Sequence, residues 1–290
     1  MKSVSLLLFC VLLLGGCTSV DKESAAGCEE LKISLPATEL NLRVASLSTG
    51  TGSVIAALGA SESLVGSDLG SNTGAEVLNP MHSVNIERLL ELRPDVVFVD
   101  STEADDAALA AIDAVGARRV TLDPVNTLEG AFRRIEIVAS ELGVAERAGG
   151  LKTLISNELD DLDTAKLAGK RVAFLYLRGS AGIYLLAGDG SGADEIIEAL
   201  GAVDVGSSQK IKGFAPITSE KLLEADPEYL MVMQKGLESV GGIDGLLRMP
   251  GVSGTSAAQQ RAVLVGADDE LLSFGPQTPG ALACLISQVQ

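Results

Sequence analysis

The sequence has no tryptophan, only 3% aromatic residues and a single histidine. One histidine excludes a zinc or manganese site built from several imidazoles within one chain. The four cysteines lack the close C-x-x-C pairing of a structural zinc site. Basic residues are also scarce, because 22 Lys and Arg stand against 39 Asp and Glu and give a formal net charge of −17. This charge has the wrong sign for neutralising nucleic-acid phosphates, so we expect no nucleic-acid partner.

Apolar sequence is abundant, since 47% of the 290 residues are hydrophobic and 21% are charged. This balance is typical of a folded chain and excludes a disordered one. Domains usually contain about 100–150 residues, so the length predicts two lobes. The sequence offers no nucleophile accompanied by a base and an orienting acid, and we therefore predict a protein without catalytic activity.

The N-terminal residues predict export and a tether. Lys2 precedes an apolar run at 6–14 that is too short to span a bilayer comfortably. Small residues then lead to Cys17, and this stretch resembles the lipobox of bacterial lipoproteins, in which the cysteine is acylated and the chain is cut just ahead of it. We therefore predict a signal peptide at 1–16 and a lipid-anchored tether at 17–40, on the outer face of the cytoplasmic membrane. The alternative is a plain signal peptide with an incidental cysteine.

Besides the acylated Cys17, two cysteines remain in the predicted mature chain. Cys28 precedes the predicted fold and Cys284 lies near its end. An oxidising compartment permits a disulfide between them. Because the sequence does not show that the two residues meet in space, free thiols and a disulfide both stay open.

An internal repeat organises the rest of the chain. Residues 85–99 align without a gap with residues 218–232, as NIERLLELRPDVVFV with TSEKLLEADPEYLMV. Each copy has a capping residue, a short helix, a proline that ends the helix, and a strand of about five residues. A second pair of matching helices precedes these copies, at 54–59 and 196–201, and each ends in a glycine suited to a left-handed cap. The repeat predicts two similar α/β lobes.

Between the repeats, residues 127–168 show helical spacing of apolar side chains and almost no strand signal. The apolar positions are Phe132, Ile135, Val138, Leu142, Leu151, Ile155, Leu159 and Leu162. The pattern predicts a continuous helical connector between a lobe at 41–126 and a lobe at 169–290. A continuous helix is a stiff hinge, so we expect little relative movement of the lobes. The predicted fold class is α/β, with two Rossmann-like lobes joined by a long helical connector.

This architecture is similar to the substrate-binding components of ABC importers that have a helical backbone (class III) and serve iron-siderophores, cobalamin and haem. Residues 42–290 follow that pattern. Further motifs resemble the haem-binding lipoproteins of actinobacterial haem importers, and they are LYLRG at 175–179, GLESVGGIDGLL at 236–247, PGV at 250–252 and FGPQTP at 274–279. The resemblance implies a monomer that captures haem between its lobes and delivers it to an ABC permease dimer and its ATPase.

The resemblance also implies that His82 and Tyr176 ligate the haem iron from opposite lobes. His82 lies in a loop, where on the residues alone a single histidine is more often a solvated side chain than a ligand, and the resemblance reverses that order. Tyr176 lies near the end of a predicted strand, and Arg178 points to the same face of that strand. A nearby guanidinium favours the phenolate, which ferric iron prefers. On the residues alone, Tyr176 could also face the core with its hydroxyl satisfied by Arg178 or the backbone.

Other haem contacts are expected at Tyr184 and Phe274. Tyr184 is a substitute ligand on the following strand, whereas Tyr229 is expected to be structural. The expected apolar walls for the porphyrin, each of which could also be ordinary core, are Met81, Phe214, Leu271, Leu272 and Phe274. The chain has Gln277 where many of the resembled proteins carry arginine, a departure that removes a cationic group from that position.

Glu87 and Glu220 occupy equivalent places in the two repeats, near the start of their helices. The helix dipole alone favours a carboxylate at either place. In the resembled class, an acidic residue at this point on each lobe docks with arginines of the dimeric permease. The paired positions favour that role for both residues.

Two other kinds of function stay open. A binding protein for a ferric siderophore or a corrinoid would share this architecture, although the absence of tryptophan disfavours a broad stacking pocket. A secreted enzyme or an adhesive lipoprotein would not depend on acylation of Cys17 for iron uptake.

Overall fold

The computed structural model of the chain describes residues 31, 33–79, 83–102, 106–179, 183–268 and 270–289. In the first half of this described chain, a parallel sheet consists of β1 (Val44–Ser46), β2 (Leu64–Gly66), β3 (Val96–Asp100) and β4 (Arg118–Leu122). The strand order is β2-β1-β3-β4. Because the strands are parallel, their carboxyl ends lie at one edge of the sheet.

A second sheet is formed by later strands, which are β5 (Arg171–Arg178), β6 (Ile183–Ala187), β7 (Val203–Asp204), β8 (Phe214–Pro216), β9 (Tyr229–Met233) and β10 (Val263–Gly266). Its order is β10-β9-β5-β6-β8, and β7 pairs with β5. Strands β7 and β9 run parallel to β5, whereas β6 is antiparallel to both β5 and β8. The second sheet is therefore mixed, and the predicted α/β class with two lobes is confirmed.

Helices alternate with most of these strands. They are α1 (Thr51–Ala57), α2 (Ile86–Leu92), α3 (Asp106–Val115), α4 (Leu128–Glu141), α5 (Arg147–Asp160), α6 (Ala193–Ala199), α7 (Val205–Ser208), α8 (Ser219–Ala225), α9 (Gln234–Ser239), α10 (Gly242–Leu247), α11 (Ser256–Gln260) and α12 (Thr278–Ser287). Short 3₁₀ helices occur at Ser61–Ser63, Leu69–Ser71 and Thr164–Lys166. Within the described part of the chain, none of the helices has the length and apolar character needed to cross a membrane.

The sequence repeat recurs in the caps of α2 and α8. The side chains of Asn85 and Thr218 each accept a hydrogen bond from the backbone N–H three residues later. Both helices end at a residue in the left-handed region, Arg93 with φ of 43° and Asp226 with φ of 41°. A proline follows each of these residues and cannot continue the helix. The two copies of the sequence repeat therefore share the same helix caps and the same backbone conformation at the helix ends.

The link from each of these helices to its sheet is also repeated. The carboxylate of Asp95 accepts a hydrogen bond of 2.7 Å from the backbone N–H of Arg43, and Glu228 accepts one of 3.1 Å from Arg171. The hydrogen bond from the Arg171 N–H, together with one from the Lys170 ammonium, lowers the pKa of the Glu228 carboxyl. In the first half this bond joins the residue before β1 to the residue before β3, and in the second half it joins the first residue of β5 to the residue before β9.

The connector consists of two helices, α4 and α5, so the prediction of one continuous helix is wrong. The chain leaves helical conformation after Leu142, and Gly143 has φ of 76°. A glycine in the left-handed region is a common helix end. Gly149 and Gly150, which are the weaker points of the apolar pattern, lie inside α5. The periodicity did not reveal the break because both helices pack on the same core.

The two connector helices bury side chains in both halves of the molecule. Ile135 and Val138 of α4 and Leu151 and Ile155 of α5 are fully buried in the core beneath the first sheet. Leu159 packs against that core and also against a core of the second sheet. The connector is therefore an integral layer of the fold.

The segment 33–40 packs onto the first lobe. The backbone N–H groups of Leu35 and Thr38 donate hydrogen bonds of 2.8 Å to carbonyls at the C-terminal end of α1. Ile33, Leu35 and Leu40 pack against the first core. The predicted tether at 17–40 is therefore wrong for these residues, because their apolar side chains are held by burial.

Candidate functional site

The carboxyl end of β5 carries two of the residues singled out from the sequence. Strand β9 pairs only with residues 172–174 of β5, and the last four residues of β5 pair with β6 instead. Tyr176 and Arg178 lie on this projecting end, on one face, because alternate residues of a strand share a face. Tyr176 is half-buried and Arg178 is exposed. Ligands of open α/β sheets bind outside the carboxyl ends of strands.

The ring of Tyr176 belongs to a small aromatic group. Its centroid lies 5.7 Å from that of Phe214 with an interplanar angle of 64°, and Phe214 in turn packs edge-on against Phe174 at 6.1 Å. Such edge-to-face contacts fix ring orientation. Phe214 is nevertheless 38% exposed, so an apolar ligand could reach it. Tyr176 also packs against the core of the second sheet, so its role as a haem ligand stays a prediction.

Tyr184 lies on the opposite face of the second sheet, so the predicted haem contact there requires correction. In the register of β5 and β6 it stands opposite Leu177, not opposite Tyr176. It is buried, and its hydroxyl donates a hydrogen bond of 2.9 Å to the Pro250 carbonyl. Burial raises the pKa of the Tyr184 phenol. This side chain belongs to the core and does not share a surface with Tyr176.

A cavity of about 170 Å³ lies where the two lobes and the connector meet. It is lined by Thr49, Asp100, Thr102, Pro124, Val125, Arg134, Leu272, Ser273 and Phe274. The predicted wall residues Leu272 and Phe274 thus face this junction, whereas Leu271 is fully buried in the core. Gln277 lies close by, since its side-chain amide donates to the Ser273 carbonyl. Pockets for drug-sized ligands usually measure about 300–1,000 Å³, so this cavity alone is only part of a site.

Arg134 of α4 is a buried cation at this junction that sequence reasoning missed. Its guanidinium donates to the carbonyls of Thr49 at 2.6 Å and Asp123 at 2.7 Å, and it pairs with the Asp100 carboxylate at 3.3 Å. Burial lowers the pKa of Arg134, and the charge of Asp100 opposes this change. On an amphipathic helix such a residue resembles any solvated charge, so the sequence carried no signal for it.

A second buried acid, Asp68, holds the loop between β1 and α1. Its carboxylate accepts hydrogen bonds from the Gly50 N–H at 3.1 Å, the Gly52 N–H at 3.3 Å and the Ser71 hydroxyl at 2.6 Å. Burial raises the pKa of Asp68, and these hydrogen bonds partly counter the change. Asp68 and the Asp100–Arg134 pair therefore fix this loop at the edge of the junction.

Glu87 and Glu220 lie in the first turns of α2 and α8, and both are exposed. Hydrogen bonds from its own backbone N–H and from the Thr218 hydroxyl lower the pKa of Glu220. The two carboxylates thus stand at matching places of the repeated units. Their role in docking stays a prediction.

Several residues singled out from the sequence lie outside the described residues. These are Cys17, Cys28, Met81 and His82. Cys284 is disulfide-bonded, and no second cysteine occurs among the described residues. The roles predicted for His82 and Cys17 therefore stay predictions.

Comparison with known proteins identifies the family of this chain. A model described as periplasmic binding protein matches residues 44–270. The chain belongs to the periplasmic binding protein family. The family and the neighbours named below are binding proteins. A search of the curated proteins finds no match to this chain.

Solved structures in this family resemble the chain over most of its length. The periplasmic haem-binding protein RhuT from Roseiflexus sp. RS-1 is 30% identical, with a TM-score of 0.75, over 86% of this chain and 99% of RhuT. The haem-binding protein HmuT is 29% identical, with a TM-score of 0.74, over 95% of this chain and 96% of HmuT. The haem-binding protein HutB of Vibrio cholerae is 25% identical, with a TM-score of 0.75, over 84% of this chain and 97% of HutB.

Further structures of HmuT carry single alanine replacements. One replaces a tyrosine, one an arginine and one a histidine. The replaced tyrosine and arginine lie two positions apart in HmuT. Another neighbour, the periplasmic haem-binding protein BhuT, is in complex with two haems.

Proposed function

We propose that this chain captures haem between its lobes and delivers it to an ABC permease dimer with its ATPase. The observation that carries the proposal is the pair Tyr176 and Arg178 on the projecting end of β5, beside the half-exposed ring of Phe214. The replaced tyrosine and arginine of HmuT have the same residue types and the same spacing, which supports this assignment.

The chemistry of the pair suits ferric haem. Arg178 places a positive charge on the same face of β5 as Tyr176, about 7 Å away along the backbone. Tyrosine is an established axial ligand of haem iron, and an anionic oxygen ligand stabilises the ferric state. His82, from the first lobe, is the proposed second ligand.

The porphyrin needs apolar surface as well as ligands. Phe214 offers a half-exposed ring next to Tyr176, and Leu272 and Phe274 line the junction of the lobes. The rigid loop held by Asp68 and Asp100 borders the same junction. These residues support a cleft with an apolar wall in the second lobe and a fixed polar edge in the first.

The test of the cargo is an absorption titration of the purified full chain with haemin. We expect a sharp Soret band that rises to saturation at a fixed stoichiometry. Ferric siderophores and cyanocobalamin, titrated in the same buffer with binding followed by calorimetry, are the competing ligands. Binding of one of these without binding of haemin would overturn the proposed cargo in favour of that ligand.

Delivery is proposed to depend on Glu87 and Glu220. The double change Glu87→Gln and Glu220→Gln removes both carboxylates and leaves the side-chain shapes. We expect haem uptake by cells to fall roughly tenfold or more, because truncating one partner of a buried charge pair at an interface costs about 2–5 kcal/mol. Haemin titration of the purified variant should match that of the unaltered chain.

The matched control is Glu129→Gln with Glu158→Gln. These exposed glutamates lie on α4 and α5, so the control makes the same change in net charge elsewhere. Uptake at the unaltered rate is expected for the control. If the docking variant also transports at that rate, the glutamates have no role in delivery.

As a family member the protein works outside the cytoplasm. We further propose that residues 1–16 are removed on export and that lipid on Cys17 anchors the monomeric protein to the outer face of the cytoplasmic membrane. Two or three acyl chains give stable anchoring, at about 0.8 kcal/mol per buried CH₂. Mass spectrometry of the mature N-terminus tests this part.

A further inference from the structure

Each copy of the repeat contains two consecutive leucines, of which the first is buried and the second is exposed. Leu89 and Leu222 are fully buried. The leucines that follow them, Leu90 and Leu223, are 38% and 43% exposed. A single exposed leucine is ordinary on a protein surface. Leu90 and Leu223, however, occupy equivalent positions in the two copies of the repeat. Among the exposed large apolar side chains of the described residues, they are the pair for which this holds, and a shared function would explain it.

The helix geometry puts each exposed leucine beside a carboxylate. Leu90 follows Glu87 by three positions on α2, and Leu223 follows Glu220 by three positions on α8. Residues three apart on a helix are neighbours on one face. Because the caps and ends of α2 and α8 match, the glutamate and the leucine lie at the same positions around the axis of each helix. The molecule therefore presents one pattern twice, a carboxylate with a leucine next to it.

Leu223 is also held in a defined position. A methyl group built on Gly254 would lie 2.5 Å from one of the Leu223 methyl groups, so this side chain rests directly on the backbone of the loop before α11. A half-exposed leucine that packs on backbone has given up some rotamer freedom before any partner arrives. An ordered apolar contact loses less entropy on binding.

The duplicated pattern identifies the kind of partner. One chain that carries the same surface on each of two lobes fits a partner that offers the same complementary site twice, as a two-fold symmetric dimer does. On the partner, a basic side chain would pair with the carboxylate, and an apolar recess beside it would receive the leucine. Charges of this kind set orientation and association rate, whereas buried apolar contacts supply much of the affinity.

We propose that Leu90 and Leu223 are the apolar contacts through which the two lobes bind a two-fold symmetric membrane partner. This inference rests on the proposed function, in which the partner is the permease dimer. It adds the residues that hold the complex together after the glutamates have oriented it.

The experiment compares two double variants with the unaltered chain. Leu90→Ser with Leu223→Ser removes the repeated pair. Ile137→Ser with Leu154→Ser is the matched control, since these side chains are 45% and 38% exposed and lie on the connector helices α4 and α5. Binding to the purified permease–ATPase complex in lipid nanodiscs is measured by surface plasmon resonance, with and without haemin. Thermal unfolding and haemin titration are measured for every variant.

We expect the leucine variant to bind the permease roughly tenfold or more weakly, with unchanged unfolding and haemin binding, and the control to bind as the unaltered chain does. Equal binding by the leucine variant and the unaltered chain overturns the inference, as does an equal loss in the control. If the unaltered chain fails to bind haemin but loses permease binding when the leucines are changed, the docking inference stands and the proposed cargo falls.

Discussion

Replacing Tyr176 by phenylalanine is expected to lower the affinity for haemin by roughly 100-fold or more. The change removes one oxygen and keeps the ring that packs against Phe214 at 5.7 Å. Losing a residue that merely supports a metal ligand costs about 10–100-fold, so loss of the ligand itself should cost at least as much. The measurement is a Soret titration at neutral pH, with His82→Ala as the companion variant. The double variant should show no saturable band.

Tyr229→Phe is the control for this experiment. Tyr229 is a partly buried tyrosine at the start of β9, where it pairs with Val172, four residues before Tyr176 on β5. Its replacement should leave haemin affinity within about twofold, as expected for a side chain outside the site. Unaltered haemin binding by the Tyr176 and His82 double variant would refute the proposed ligation, while the two-lobed binding protein would survive that result.

Replacing Arg134 by methionine is expected to destabilise the protein by about 3–5 kcal/mol, because removing one partner of a buried ion pair leaves the other charge uncompensated. The Arg134 and Asp100 side chains are both 6% exposed, so little solvent would screen the charge left on Asp100. The carbonyls of Thr49 and Asp123 would lose their donor in the same step. Urea unfolding followed by circular dichroism measures the change.

Arg133→Met is the matched control, since Arg133 neighbours Arg134 on α4 but is 65% exposed and pairs with Glu129 at 2.8 Å. Exposed ion pairs contribute about 0–1 kcal/mol, so this variant should unfold close to the unaltered chain. If both variants unfold at the same urea concentration, the junction of the lobes does not depend on the buried pair.

The repeated helix-and-strand units were predictable because their signals are local. A capping side chain, a proline after the helix and a run of apolar residues act within a few positions along the chain. The conformations of Arg93 and Asp226 show how closely the two copies agree. The break at Gly143 did carry a local signal, the same leucine-glycine end that closes the helices at 54–59 and 196–201, but it was overlooked because the apolar positions on both sides of it face one core.

In the candidate site, too, some features could be predicted from the sequence and others could not. Tyr176 and Arg178 could be found from the alternation of a strand and a resemblance to known motifs, whereas the face occupied by Tyr184 depends on the register between β5 and β6. A shift of one residue in register moves a side chain to the opposite face, and no sequence pattern in this hairpin set that register. The exposure of Leu90 and Leu223 could not be predicted either, because two consecutive leucines in a sequence do not show which of them is buried.

By itself, the amino-acid order determined the repeated α/β units, their caps and the strand that ends in Tyr176 and Arg178, because each depends on neighbours along the chain. Only the tertiary structure decided that Arg134 is buried against Asp100 and that the segment 33–40 packs onto the first lobe. Burial and pairing across the junction depend on residues far apart in sequence, which meet when two sheets and two connector helices close around a shared interior.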